Sequence, residues 1–516
     1  MKKVSWRQQG TRAFTIPDLL AGPFSPKLSI FWFYEKEALM NTRKFFRISF
    51  IAAVMLMLLL GALFSPTTPV KAASFTVTRT DDSYDGACDT DCSLRDAVAE
   101  ANSSAGADTI VLPAGTYTLS AAGVTDTTGD IDIRDELVIT GAGSALTTIH
   151  ANTTLLDRIL DVDFSTNSLG LTGLTLEGGN TTGKGGAIFS FLNILNFEDV
   201  MIRNNTASAE GGGVYMEGGS LHMLRSEISG NHSGSAGGGF NGFGASLVAT
   251  ESVIKNNTGG DGGGIYVNGG GLTITTSRVE GNSGGKGGGI FVFIGNSPFT
   301  LTQSLVKGNT SGDYGGGIYL HSYGTGQVDI INSTISGNLA LNNGGGIYTE
   351  TPVNISHSTI AENQADTDHS EKWTPTGGGI YGYRATAVFH ISNSILANNT
   401  GNYFGLDPNN DCYLGLSSSI ASQGYNLVEY RGNCDFTGSG ELLALDPHLG
   451  PLQDNGGLTH TYALLPGSPA VDKGDPAFTP PPDFDQRGFP RVFNLRIDMG
   501  AYEAQITRIY MPILMR

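Results

Sequence analysis

Charge is scarce in this chain. Of its 516 residues, 15% are Asp, Glu, Lys or Arg, against roughly 25% in an ordinary globular protein. Long helical bundles and coiled coils, which draw on Ala, Glu, Lys, Leu and Arg at helical spacing, are therefore excluded. Positive charge is scarcer still: 30 Lys and Arg stand against 48 Asp and Glu, a net charge of −18. That balance argues against nucleic acid and anionic lipid as partners, because both are bound through basic patches. Cysteine is limited to four residues. Neither Cys88 with Cys92 nor Cys412 with Cys434 has further cysteines or histidines at zinc-ligand spacing, so no metal site is expected there. Beyond residue 64 no apolar run is long enough to span a bilayer. What abounds is glycine, 73 residues, without the Gly-X-Y period of collagen. Together with the 39% hydrophobic residues it leaves room for a sizeable core.

The front of the chain reads as an address. Arg43, Lys44 and Arg47 precede an apolar run from Ile48 to Phe64, Pro66 ends it, and Val70-Lys71-Ala72 offers small residues for cleavage. Residues 40–73 are therefore read as a signal peptide built on Met40 and cut near Ala72 or Ala73. A retained membrane anchor is the rival reading. Residues 1–39 are read as the product of a misassigned start. The expected location is extracellular or on the cell surface, with no transmembrane span in the mature chain. In such a compartment two local disulfides follow, Cys88–Cys92 and Cys412–Cys434.

The central region repeats. A glycine pair or triplet precedes an apolar residue at Ile188, Val214, Phe240, Ile265, Ile290, Ile318, Ile347 and Ile380. An asparagine series runs alongside at Asn205, Asn231, Asn257, Asn282, Asn309, Asn338, Asn363 and Asn399. Three positions before each asparagine is an aliphatic residue, and in seven units serine lies two before that, from Ser226 to Ser394. Each unit thus holds about three short segments with period-2 alternation, broken by an asparagine turn and a glycine turn. Strands this short bury a core only when stacked coil upon coil. The expected fold is all-β: a right-handed parallel β-helix, a pectin-lyase-like solenoid with three short strands per coil over residues 121–440. Stacking would line up the aliphatic residues inside and let the asparagines form an amide ladder from coil to coil.

Gly185-Gly186-Ala187-Ile188, alternating with the apolar-x-x-Asn element, resembles the repeats of chlamydial polymorphic outer membrane proteins. Residues 74–120, with Cys92-Ser93-Leu94-Arg95-Asp96-Ala97, are similar to the CSLREA domain of exported β-helix proteins. A short helix from Leu94 to Ala101 would cap the lower end of the stack, where open strand edges invite aggregation. Residues 441–504 carry Leu445-Asp446-Pro447-His448, Leu464-Leu465-Pro466-Gly467-Ser468, Asp485-Gln486-Arg487-Gly488 and Asp498-Met499-Gly500-Ala501-Tyr502-Glu503. Together these resemble the choice-of-anchor Q domain, which implies a secreted or surface protein with its anchoring signal in the tail, residues 505–516.

Catalytic motifs are missing. There is no Gly-His-Gly element, and in the central coils no acidic or basic residue is seen to recur at the coil period with a partner. Asp446-Pro447-His448 reads as a turn. No cofactor is implied; Asp81-Asp82, or Asp407 with Asp411, could bind calcium but lack an alternating Asp-x-Asp-x-Asn-Gly loop and read as solvated loops. One feature stands out. The residue after each repeated apolar position is Phe189, Tyr215, Asn241, Tyr266, Phe291, Tyr319, Tyr348 and Tyr381. Alternation places them outside, as an exposed column of rings broken at Asn241. Tyr266, Phe291, Tyr319, Tyr348 and Tyr381 are the candidate ligand platform, with mutual stacking as their structural role and polysaccharide or cell-surface components as partners. The functional reading is an exported, adhesin-like or surface-architecture protein without catalysis. A carbohydrate-active enzyme (lyase or hydrolase) or a glycan-binding module is the alternative.

Overall fold

A computed structural model describes residues 72–505, apart from 124, 126, 164–165, 368–375, 404–406 and 494–495. The expectations for residues 1–39, for the leader up to residue 71 and for the tail from 506 fall outside the described residues. The chain is a right-handed parallel β-helix. One coil shows the plan: strand Val214–Glu217, a Gly218-Gly219 turn, strand Ser220–Leu224, a turn at Arg225, then strand Glu227–Ser229 and the Asn231 corner. The next coil repeats it in register, pairing Val214 with Phe240, Leu221 with Leu247 and Ile228 with Ile254. First strands form an 11-stranded sheet, and second and third strands share a 24-stranded one. Eleven stacked strands span about 48 Å. Less regular coils, such as Ile131–Ile133 below and Cys412–Leu414 above, extend the eight units visible as repeats. Some coils add a two-residue strand after the asparagine, as at Thr206–Ala207.

The repeated aliphatic residues have fully buried side chains, including Ile188, Val214, Ile265, Ile318 and Ile380. Each such burial contributes about 1.5–3 kcal/mol. In the coil of Ile318 all three glycines of the triplet sit where a Cβ would be crowded. Gly315 has φ +66°, and a Cβ there would lie 2.6 Å from Ile318 O; one on Gly316 would lie 2.5 Å from Gly345 O, and one on Gly317 3.0 Å from Asn338 Nδ2. Backbone of successive coils approaches so closely at this corner that glycine is favoured; at the third place of the first unit a methyl group, that of fully buried Ala187, is accommodated.

The lower end is closed by the helix Leu94–Ala101. Ser93 caps it, its hydroxyl accepting from the Asp96 N–H while the Asp96 carboxylate accepts from the Ser93 N–H. Leu94, Ala97, Val98 and Ala101 enter the core. Arg95 is buried against Asp82 at 2.8 Å and donates to the Gly129 and Asp130 carbonyls, tying the cap to the second turn. Strands within residues 74–120 already belong to the stack: Ser74–Thr76 pairs with Asp108–Leu112, which pairs with Leu137–Gly141. At the upper end the Cys412–Cys434 disulfide holds a loop whose Cys434 and Phe436 plug the interior. Cys88–Cys92 is also bonded.

Residues 445–505 run outside the coils, along one edge of the stack. Eight turn residues with positive φ line that edge: Asp199, Arg225, Glu251, Thr276, Gln303, Asn332, His357 and Asn393. Arg225 and Glu251 are exposed, whereas Asn332, His357 and Asn393 are covered. Gln303 donates to Asp485 O at 3.0 Å and Asn332 to Phe484 O at 2.6 Å, while Asn393 O accepts from the Gly500 N–H at 2.8 Å. Arg491 is fully buried there, bonded to Asn332 and to Gly500 O, with Glu503 3.9 Å away. His357 packs on Phe478, and among the described residues neither ring nitrogen has a hydrogen-bond partner. Burial, with Arg491 nearby, holds its pKa well below the usual imidazole range.

Candidate functional site

The asparagines form one continuous ladder. Each Nδ2 donates to the Oδ1 of the asparagine one coil up, from Asn205 to Asn231 at 2.9 Å through to Asn363 and Asn399 at 2.8 Å. Each Oδ1 also accepts from the backbone N–H one coil below, and each Nδ2 also reaches a carbonyl of the coil below. The ladder ends on Asp411, whose Oδ1 accepts from Asn399 Nδ2 at 2.8 Å and Oδ2 from the Tyr430 N–H at 2.7 Å. Asp411 is therefore fully buried rather than in a solvated loop, and desolvation pushes its pKa up to about 7 against these donors. Asp82 likewise accepts from Arg95 and from the Ser120 and Ala121 N–H groups. A second ladder, for which the sequence reading had no role, joins the serines: Ser226 N donates to Ser252 Oγ at 3.1 Å, and so on to Ser394.

The aromatic column lies on the outer face of the 11-stranded sheet. Phe189 stacks on Tyr215 with ring centroids 5.5 Å apart. Above the break, Tyr266, Phe291, Tyr319, Tyr348 and Tyr381 stack at 4.8–5.3 Å, and Tyr413 extends the run. The expectation of an exposed stripe is corrected. Phe291, Tyr319, Tyr348 and Tyr381 retain only 2–7% exposure. Two things cover them: Tyr314 stacks on Tyr348 at 4.9 Å, and a second outward column stands two residues further along each strand. Desolvation pushes Tyr266 and Tyr381 up to about 12.

That second column runs Phe191, Glu217, Phe243, Asn268, Phe293 and His321 in register. At its upper part three coils converge. His321 Nδ1 lies 3.0 Å and Arg384 Nε 3.3 Å from Glu350 Oε2, while Tyr319 OH donates to Glu350 Oε1 at 3.3 Å. Glu350 is 4% exposed, and among the described residues its Oε2 has no aligned hydrogen bond. Charged pairs between successive coils also occur at Lys255–Glu227 and Lys184–Glu210. Acidic and basic residues do meet partners across coils, contrary to the sequence reading: Lys184 and Glu210 stand at the same place in successive coils, four residues before Ile188 and Val214.

Lower on the same face is a groove of about 770 Å³ whose lining includes Asn241. Tyr266 and the nearly buried Tyr215 line it, together with Glu210, Glu217, Asp261 and Lys184. Phe243, 52% exposed, and Asn268 complete it. Among the described residues no group of His, Cys, Asp and Glu side chains is placed to hold a metal ion. His448 sits in a turn, its N–H donating to Asp446 Oδ1 at 2.7 Å.

Comparison with known proteins matches residues 185–335 to the right handed beta helix region family and residues 332–350 to the Chlamydia polymorphic membrane protein repeat. The match is to coils and to one repeat. No curated protein matches the chain. Among solved structures, pectate lyase Pel9A is similar at 12% identity and TM-score 0.42, over 85% of this chain and 98% of that one. The A-module of Azotobacter vinelandii mannuronan C-5 epimerase AlgE6 shares 16% identity at TM-score 0.29, over 68% of this chain and 94% of that one. The catalytic domain of a GH87 α-1,3-glucanase in complex with nigerose gives 12% at 0.27, over 74% of this chain and 69% of that one. Likenesses this weak transfer no activity.

Proposed function

We propose that this is an exported surface or secreted β-helix protein of adhesin-like role, which holds a glycan against the outer face of its 11-stranded sheet without catalysis. The observation that carries the reading is the two-column face itself. Its open groove combines rings, carboxylates and amides in the manner of a site that stacks a sugar and hydrogen-bonds its hydroxyls. Both disulfides and the matched polymorphic membrane protein repeat support an exported location. The CSLREA-like cap and the choice-of-anchor Q-like region belong to the same reading. Among the described residues no helix is long and apolar enough to cross a membrane.

A second reading, a carbohydrate-active enzyme, is favoured by one cluster: a buried carboxylate, Glu350, beside a partly exposed imidazole, an exposed guanidinium and a buried phenol. Incubation with acidic and neutral polysaccharides, assayed for pull-down, reducing ends and unsaturated products, separates the two. Binding without turnover is expected. Turnover abolished by Glu350→Gln would replace the binding role with the enzymatic one.

A further inference from the structure

The two outward columns of the 11-stranded sheet differ in their period. In the first, rings above Asn241 recur at every coil and stack on one another at 4.8–5.3 Å. In the second, rings recur at every other coil: Phe191, Glu217, Phe243, Asn268 and Phe293 follow in register. Successive rings there are about 10 Å apart, too far to stack on each other. Phe243 is 52% exposed, and Phe191 and Phe293 are partly exposed. Among the described residues no other ring or cation lies against Phe191 or Phe243. Phe293 leans on Phe291 at 4.8 Å, with Tyr323, 57% exposed, beside it at 6.1 Å.

That period has a counterpart in one class of polymer. In an extended β-1,4-linked glycan each sugar is turned over relative to the last, so every second sugar presents the same face. Each sugar advances the chain by about one coil spacing, so the repeat of two sugars matches two coils, about 10 Å. Laid along the stack, such a chain sets its first, third and fifth sugars on Phe191, Phe243 and Phe293, over about 19 Å. The C–H face of each packs on a ring. The sugars between them meet Glu217 and Asn268, whose carboxylate and amide suit hydroxyl groups. Charge narrows the class. In the groove beside Phe243, Glu210, Glu217 and Asp261 outnumber Lys184, whose ammonium is already 3.6 Å from Glu210. A chain with a carboxylate on every sugar is repelled there.

We infer that the second column is a track for an extended, uncharged β-1,4-linked polysaccharide lying along the helix axis. The inference rests on the glycan-binding reading and names its class of glycan. Its test is calorimetric titration with cellohexaose, the β-1,4-linked N-acetylglucosamine hexamer, maltohexaose, whose α-1,4 linkage coils, and a β-1,4-linked mannuronate hexamer. At least one of the first two is expected to bind about tenfold tighter than either of the others. In a length series of the tighter binder, affinity should climb from two to three sugars and from four to five, and change little from three to four. Phe243→Ala should weaken binding about tenfold. Glu217→Phe adds a ring one coil from both neighbours, where the three stack together, so binding should fall there too. Maltohexaose or mannuronate binding as tightly as the first two, or an even rise with length, would overturn the inference and leave the glycan-binding reading standing. So would unchanged affinity in Phe243→Ala or tighter binding by Glu217→Phe. The length series uses the wild-type chain, so the test survives if a variant does not fold. Failure of all four hexamers and of the wider polysaccharide panel would overturn both.

Discussion

Replacing Asn309 by Asp should make the stability of the β-helix pH-dependent in a direction that the ladder geometry dictates. Asn309 is fully buried and makes four side-chain bonds at 2.9 Å: Oδ1 accepts from the Asn282 N–H and Nδ2, and Nδ2 donates to Asn338 Oδ1 and Val279 O. An aspartate keeps the two accepted bonds but turns its second oxygen onto two acceptors. The folded chain then favours the protonated acid, which donates one bond. Taking up that proton at pH 7, against a reference pKa of about 3.9, costs about 4 kcal/mol, and at pH 4 well under about 1 kcal/mol. The folded-state pKa is raised, so stability is full below about pH 4 and lost as pH rises through the folded value. Native Asp411 tolerates its ladder position because its second oxygen meets the Tyr430 N–H instead of a carbonyl. Asn309→Leu is the control: it orphans the Asn282 N–H and one Asn282 amide hydrogen at about 1–3 kcal/mol each, at either pH. Chemical denaturation followed by circular dichroism at about pH 4 and about pH 7, each variant compared with the wild type, measures both. An equal loss for Asn309→Asp at the two pH values would refute the ladder argument.

Tyr319→Ala should cost about 3–5 kcal/mol, more than ring contacts alone suggest, because Tyr319 is 5% exposed between Phe291 and Tyr348. Tyr266→Ala, partly exposed and stacked on Phe291 alone within the column, should cost less, and the reverse order in denaturation midpoints would contradict the packing. Loss of Cys412–Cys434 should cost roughly 3 kcal/mol in the chain-entropy picture; peptide mapping without reductant that recovers free thiols at both positions would remove its basis. His357 is buried neutral, so its contribution is full above about pH 6.5 and lost as pH falls toward its lowered folded pKa. Protease protection of residues 459–493 should therefore weaken below that pH in the wild type and hold in His357→Asn, which places there the residue found at 332 and 393; identical acid sensitivity in both would dismiss the role.

The stack was legible because parallel coils convert sequence period into spatial contact. Asn282 and Asn309 are 27 residues apart, yet one coil shift makes them hydrogen-bonded neighbours, so a recurring residue type announces its own partner. The ring column followed from the same alternation, but its burial did not. What covers it depends on Tyr314 and on the second column, where ring, carboxylate, amide and imidazole mix without a repeating type.

The sequence by itself determined the coil, its inward aliphatic columns, the asparagine series and the break at Asn241, since each is a property of a single repeating unit. Tertiary structure alone decided the rest. His321 and Glu350 stand one coil apart, three residues after Ile318 and Ile347, but that Arg384 from a third coil reaches the same carboxylate follows only from the folded side chains. Arg491 reaches Asn332 across 159 residues through an irregular chain with no period to follow. The groove lined by Glu210, Phe243 and Asp261 likewise arises only where residues of several coils share one space.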